Sequence, residues 1–203
     1  MSEGYIKFNC IRKQEGIHIQ EDIYAQLETA RTRLYALGLI GMYPDGIGFG
    51  NISIRNNVGA AFIISGSATG GLSHLKPSDY SLVTKYDIAK NTIHCSGLTK
   101  ASSESLTHAA VYQSVPKAGA VVHVHCLWLW EKLLNAFPTT SEEIEYGTCE
   151  MADSVGKLAL EIVGNEQQII VMGGHREGIL AFGNNITEVT SQIINLYNQI
   201  KHD

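Results

Sequence analysis

Val121-Val122-His123-Val124-His125-Cys126 is the stretch on which the reading of this chain turns. Valine alternates with histidine, and Ala120 extends the run to a strand over residues 120–125. Along a strand, side chains at i and i+2 share a face. His123 and His125 therefore project together, while Val122 and Val124 face the opposite layer. Two imidazoles on one pleat suit a divalent transition metal. A His-x-His pair at a strand end also arises by chance, so a third ligand carries weight.

That third ligand is offered by a second strand. Residues 168–172 read as a strand, and its apolar run from Ile169 to Met172 ends in Gly173-Gly174-His175. The two glycines permit close backbone approach where the strand meets a turn. Three neutral histidines would leave zinc an open coordination position, the arrangement of a catalytic site rather than a structural one. The remaining histidines read differently. His18, His94 and His202 fall on surface or strand positions, His74 on a loop, and His108 on a helix as a packing or hydrogen-bonding residue.

Working outward, the chain alternates strands with helices. Short strands are expected at residues 7–13, 51–55, 60–65, 81–84, 92–95 and 178–182. Helical spacing appears at Ile23, Leu27, Ala30, Leu34 and Leu37, giving a helix over 21–39 closed by Gly38 and Gly41. A second helix opens at Ser102-Ser103-Glu104 and stops before Pro116. Others are expected over 127–136 and 151–163. The last starts at Asn185, with Glu188 as a capping box, and runs to about Lys201. The pattern is α/β layering in one domain, residues 1–203. Strand direction is not encoded in it.

Composition narrows the function. Fifteen Lys+Arg against 20 Asp+Glu give a net charge of −5, without basic clusters, so no nucleic-acid partner is expected. No apolar run approaches the roughly 20 residues needed to span a bilayer. Residues 1–12 lack the apolar core of a signal peptide. Cys10, Cys95, Cys126 and Cys149 show no CxxC spacing and read as reduced thiols in a cytoplasmic protein. Charged residues make up only 17%, below the usual quarter or so, as when an oligomer hides surface.

Glycine is enriched at 20 of 203 residues and clusters beside histidine and hydroxyl side chains. Residues 66–71, Gly-Ser-Ala-Thr-Gly-Gly, can present several N–H groups to an anion. Gly50-Asn51-Ile52-Ser53 adds a side-chain amide, and Ser102-Ser103 adds hydroxyls at a helix start. None of these matches a Walker or dinucleotide-binding pattern, and glycine-rich loops are often plain turns. Glu104 is open to two readings. It either complements the helix dipole, worth about 0.3–1 kcal/mol, or moves a proton on a metal-bound substrate. Three anion-friendly loops and a histidine metal site point to a phosphorylated, oxygen-rich metabolite.

In their order along the chain, Gly50-Asn51-Ile52-Ser53, Ser102-Ser103-Glu104, His123-Val124-His125 and His175 resemble the class II aldolase/adducin family. The resemblance runs from about Tyr24 to Tyr197. It implies an α/β/α sandwich around a largely antiparallel sheet, a homotetramer with sites near subunit interfaces, and zinc or another divalent transition metal. By position, His123, His125 and His175 correspond to the metal-binding histidines and Glu104 to the acid/base carboxylate. Asn51, the Gly66–Gly70 loop, Ser102 and Ser103 correspond to the phosphate-binding groups. The family's Thr-Pro-x-Gly is replaced here by residues 65–70, which leaves either Ser67 or Thr69 to face the anion beside Gly70.

The implied activity is a metal-dependent lyase on a ketose 1-phosphate or related sugar phosphate, with Glu104 as acid/base. A methylthioribulose-1-phosphate dehydratase-like lyase and a non-catalytic adducin-like scaffold are the alternatives. An epimerase is disfavoured, since that branch has aspartate at the position of Glu104. Two further departures are Arg176-Glu177-Gly178, where relatives have glycine directly after the histidine, and a short segment over residues 137–145.

Overall fold

Amphipathic runs and β-branched runs sort into alternating elements in the computed structural model, which describes residues 7–56 and 59–202. The order is β1 (Asn9–Lys13), α1 (Glu21–Ala36), β2 (Gly41–Met42), β3 (Gly48–Phe49), β4 (Asn51–Arg55), β5 (Phe62–Ser65), β6 (Tyr80–Asp87) and β7 (Thr92–Ser96). It continues with α2 (Ser105–Ser114), β8 (Ala120–His125), α3 (Leu127–Leu133), α4 (Cys149–Ile162), β9 (Ile169–Val171), β10 (Gly178–Gly183) and α5 (Ile186–His202). Residues 1–6, part of the segment read for a signal peptide, lie outside the described residues.

Eight strands form one sheet in the order β1-β7-β6-β5-β4-β8-β10-β9. Each neighbouring pair is antiparallel except β1 with β7, which is parallel. Alternation along the strands divides the core into two clusters. On one face, Val121, Leu180, Phe62 and Val83 pack against Leu106 and Val111 of α2 and Met151 and Val155 of α4. On the other, Val122, Val124, Ile52 and Ala181 pack against Leu27 and Leu34 of α1 and Val189 and Ile193 of α5. The result is the expected α/β/α sandwich around a largely antiparallel sheet.

The helix ends follow local chemistry. α1 stops at Ala36, three residues short of the expected end, because Gly38 (φ 69°) turns the chain back. The Gly38 amide then bonds to the Tyr35 carbonyl and the Leu39 amide to the Leu34 carbonyl, each at 3.0 Å, a Schellman closure. Leu39 is thereby placed so that its carbonyl accepts from the His125 amide, also at 3.0 Å. At α4 the Thr148 hydroxyl accepts from the Met151 amide. At α5 the Asn185 side chain accepts from the Glu188 amide at 2.9 Å, while Glu188 receives the Asn185 side-chain amide rather than its backbone N–H.

Other boundaries shift modestly. β6 is longer than expected and carries an irregularity between Val83 and Lys85. The β2–β3 hairpin stands where the sequence showed only turn residues, because two-residue strands carry no periodic signal. All four cysteines are free; Cys10 and Cys95 lie on adjacent strands with their sulfurs 3.6 Å apart. No helix among the described residues is long and apolar enough to cross a membrane.

Candidate metal and anion site

Strand register brings the histidines together. β8 is buried along its whole length between β4 and β10. Its His123 pairs with Asn51 on β4, and its His125 pairs with Gly178 on β10. Between β9 and β10 the chain folds back through Gly173-Gly174-His175, with the Gly178 amide bonded to the His175 carbonyl at 2.8 Å. The turn tucks in tightly: a Cβ on Gly173 would overlap the Thr140 carbonyl, and one on Gly174 the Ile144 carbonyl. The short segment 137–145 is thus the wall against which the His175 turn packs. Only glycine permits that approach.

Potential ligand atoms of His123, His125 and His175 all lie within 4.8 Å of one another. All three residues are buried, at 1%, 3% and 5% exposure. Burial holds His123 well below the usual imidazole range, reinforced by the neighbouring imidazoles of His125, His175 and His108. Burial, with His175 beside it, does the same to His125. Neutral imidazole is the form that ligates a metal.

Asn51 presents its amide to His123, with Nδ2 3.4 Å from Nδ1. Asn51 Oδ1 and His123 Nε2 are buried without hydrogen-bond partners among the described residues. Turning the Asn51 amide over lets Oδ1 accept from an Nδ1–H of His123, which leaves the lone pair at His123 Nε2 for a cation. The donor set therefore fits a divalent metal with three imidazole ligands.

Glu104 completes the pocket. It is the cap residue of α2, yet its side chain makes no capping bond. Oε2 accepts instead from the Thr107 hydroxyl at 2.8 Å, and Oε1 lies 4.0 Å from His175 Nδ1. Oε1 has no hydrogen-bond partner among the described residues, although Glu104 is only 2% exposed. A buried polar atom left so costs about 1–3 kcal/mol. The carboxylate points at the histidines rather than serving the helix dipole.

The same cavity, about 280 Å³, is lined by Asn51, the residue 66–70 loop, Ser102, Ser103, Glu104 and the three histidines. The glycine loop is tied to the Ser102–Glu104 segment by the Ser67 amide bonding to the Lys100 carbonyl at 2.8 Å. Thr69 donates its hydroxyl to the Gly66 carbonyl at 2.8 Å and is buried. Ser67 is the less buried hydroxyl of the loop. Ser102 is buried, and its hydroxyl accepts weakly from the Glu104 amide at 3.4 Å.

Residues 36–201 match the family described as Class II Aldolase and Adducin N-terminal domain. The chain belongs to that family. Among solved structures, the class II aldolase fold recurs in YgbL from Klebsiella pneumoniae, at 17% identity and a TM-score of 0.65, covering 89% of this chain and 87% of that one. An L-fuculose 1-phosphate aldolase shares 20% identity with a TM-score of 0.63, covering 91% and 88%. The sugar-phosphate aldolase from Thermotoga maritima shares 17% with a TM-score of 0.60, covering 85% and 89%.

Several residues in and around this class II aldolase-fold pocket were not singled out by sequence reasoning. Arg31 on α1 is 1% exposed and lies beneath the glycine loop. Its guanidinium donates to the Thr69 and Gly70 carbonyls at 3.0 and 3.1 Å, and to the Ser73 carbonyl at 3.3 Å. A signal was present: Arg31 occupies the buried stripe of Leu27, Ala30 and Leu34, where a cation is out of place. Tyr146 stacks on His175 with ring centroids 4.5 Å apart, and Phe49 stacks on His125 at 5.5 Å. Tyr43 reaches His125 from the β2–β3 hairpin. No local pattern marks these aromatic residues, because each contact joins segments far apart along the chain. His108, read as a hydrogen-bonding residue, is fully buried with Nδ1 2.7 Å from the Ser53 hydroxyl.

Proposed function

We propose that this chain is a divalent-metal-dependent lyase that cleaves a ketose 1-phosphate or a related sugar phosphate. One observation carries the reading. The buried, unpartnered Oε1 of Glu104 faces three clustered histidines in a cavity that also contains the hydroxyl- and glycine-rich loops. Zinc or a similar ion, held by His123, His125 and His175, would supply Lewis-acid stabilisation of charge developing on the substrate oxygens.

The protein groups have separable tasks. Asn51, Ser67, Thr69, Gly70, Ser102 and Ser103 form the anion end of the cavity and hold the phosphate. Arg31 sets a positive charge behind that loop and ties two of its carbonyls inward, which orients the loop before substrate arrives. Anchoring the phosphate fixes the reacting carbons against Glu104. Thr107 holds Oε2, so Oε1 is the atom that takes or returns the proton. The active assembly is a homotetramer.

The test is zinc-dependent release of dihydroxyacetone phosphate and an aldehyde from a panel of ketose 1-phosphates. L-fuculose 1-phosphate, the compound named for the structural neighbour above, is the natural first member. Loss of water from methylthioribulose 1-phosphate without carbon–carbon cleavage would replace the aldolase reading by the dehydratase. A protein that binds zinc and turns over neither class would point to the adducin-like scaffold.

A further inference from the structure

We infer that Tyr43 and Glu177 form a hydrogen-bonded relay that sets the tautomer of His125 and tightens its hold on the metal. Both are positioning residues, and the inference rests on the metal-site reading above.

The Tyr43 oxygen lies 2.9 Å from His125 Nδ1 and 2.8 Å from Glu177 Oε2. A phenol has one proton to give, and a carboxylate can only accept. The Tyr43 proton therefore goes to Glu177, and the Tyr43 oxygen must accept from His125 Nδ1–H. With Nδ1 protonated, Nε2 is the nitrogen whose lone pair serves a cation. A ligating histidine held in this way by a further acceptor gains orientation and basicity. Here the carboxylate acts through an intervening phenol.

Three features show that the arrangement is built. The Tyr43 backbone is fixed in the hairpin turn, its amide bonded to the Ile47 carbonyl at 2.8 Å and its carbonyl to the Gly46 amide at 2.9 Å. Its ring packs on Phe49 with centroids 4.5 Å apart, and Phe49 in turn stacks on His125. Glu177 adopts a left-handed conformation with φ 73°, which a residue bearing a Cβ rarely occupies and glycine occupies freely. Its carbonyl accepts from the amide of Cys126, the residue after His125, at 3.1 Å. A strained backbone kept at a site, where glycine would relieve it, points to a use for the side chain.

The experiment uses the full chain, stripped of metal by chelation, with zinc alone as the probe. Competition with a chromogenic chelator gives affinity, and 15N–1H spectra of the imidazoles give the tautomer. In the metal-free wild type, His125 should be the Nδ1–H form. Tyr43→Phe should erase that preference and weaken zinc binding by about 10–100-fold. Glu177→Gly should weaken zinc in the same direction without lowering the thermal midpoint, which separates the relay from a merely structural role. It also carries the test should Tyr43→Phe fail to fold. Glu177→Gln, which keeps an acceptor but not the charge, should lose less. An Nε2–H tautomer in the wild type overturns the relay, and so does wild-type zinc affinity in both Tyr43→Phe and Glu177→Gly. Absence of lyase turnover in a zinc-loaded wild type with the expected tautomer would instead remove the functional reading and leave the relay standing.

Discussion

Acidification should destabilise this protein through His108, a residue outside the metal set. Its ring is 0% exposed on α2, with Nδ1 2.7 Å from the Ser53 hydroxyl, which in turn lies 2.8 Å from the Tyr112 hydroxyl. Burial drives its pKa from 6.5 down to about 3. In the unfolded chain the same imidazole takes up a proton near pH 6.5; in the folded protein it does so only near pH 3. Between those values the unfolded state holds more protons, so stability is retained at neutral pH and falls as pH falls. Lowering the pH from 7 to 5 should then cost about 2 kcal/mol through this one group. His123 and His125 act in the same direction, so the measurement is a double difference. Urea unfolding of metal-free wild type and His108→Gln at pH 7 and pH 5 isolates the His108 contribution. The variant should lose less on acidification than the wild type, by about 2 kcal/mol, whatever its starting stability. Equal losses in the two proteins would show that the folded state accommodates a charged His108, and the reasoning from burial would fail.

Three further outcomes are expected. Glu104→Gln should lower turnover of the proposed substrate by roughly 10²–10⁴-fold while leaving the three histidines to bind zinc; full activity would exclude the acid/base role. Gly174→Ala should destabilise the fold by about 1–3 kcal/mol, because its Cβ would overlap the Ile144 carbonyl, and the shift should appear in the urea midpoint together with weaker zinc binding. Arg31→Lys loses the forked contact with the Thr69 and Gly70 carbonyls, costing about 1.5–3 kcal/mol, and should raise KM for a phosphorylated substrate more than it lowers kcat.

The histidine strand shows how far local pattern reaches. Alternation alone placed His123 and His125 on one face, since the strand repeat of two residues leaves no other choice. The same alternation assigned Val122 and Val124 to the opposite core, where both are buried. The glycines before His175 signalled a close approach, and the Thr140 and Ile144 carbonyls are what they approach. Arg31 was legible in principle as a cation on an apolar stripe. Tyr43, Phe49 and Tyr146 were not, because their partners lie 29 to 134 positions away along the chain, from Tyr146–His175 to Tyr43–Glu177.

Residue pattern by itself therefore determined the layering, most element positions, the paired histidines and the groups available for an anion. These depend on periodicity, turn chemistry and side-chain type, all of which act over a few residues. Tertiary structure decided what those groups do to one another. The antiparallel register set Asn51 beside His123, and the β9–β10 turn carried His175 to the same point. Burial then favoured neutral imidazoles at His123 and His125 and turned Glu104 from a helix cap into an inward-facing carboxylate. Strand pairing and desolvation are properties of contacts between distant segments, and no window of sequence contains them.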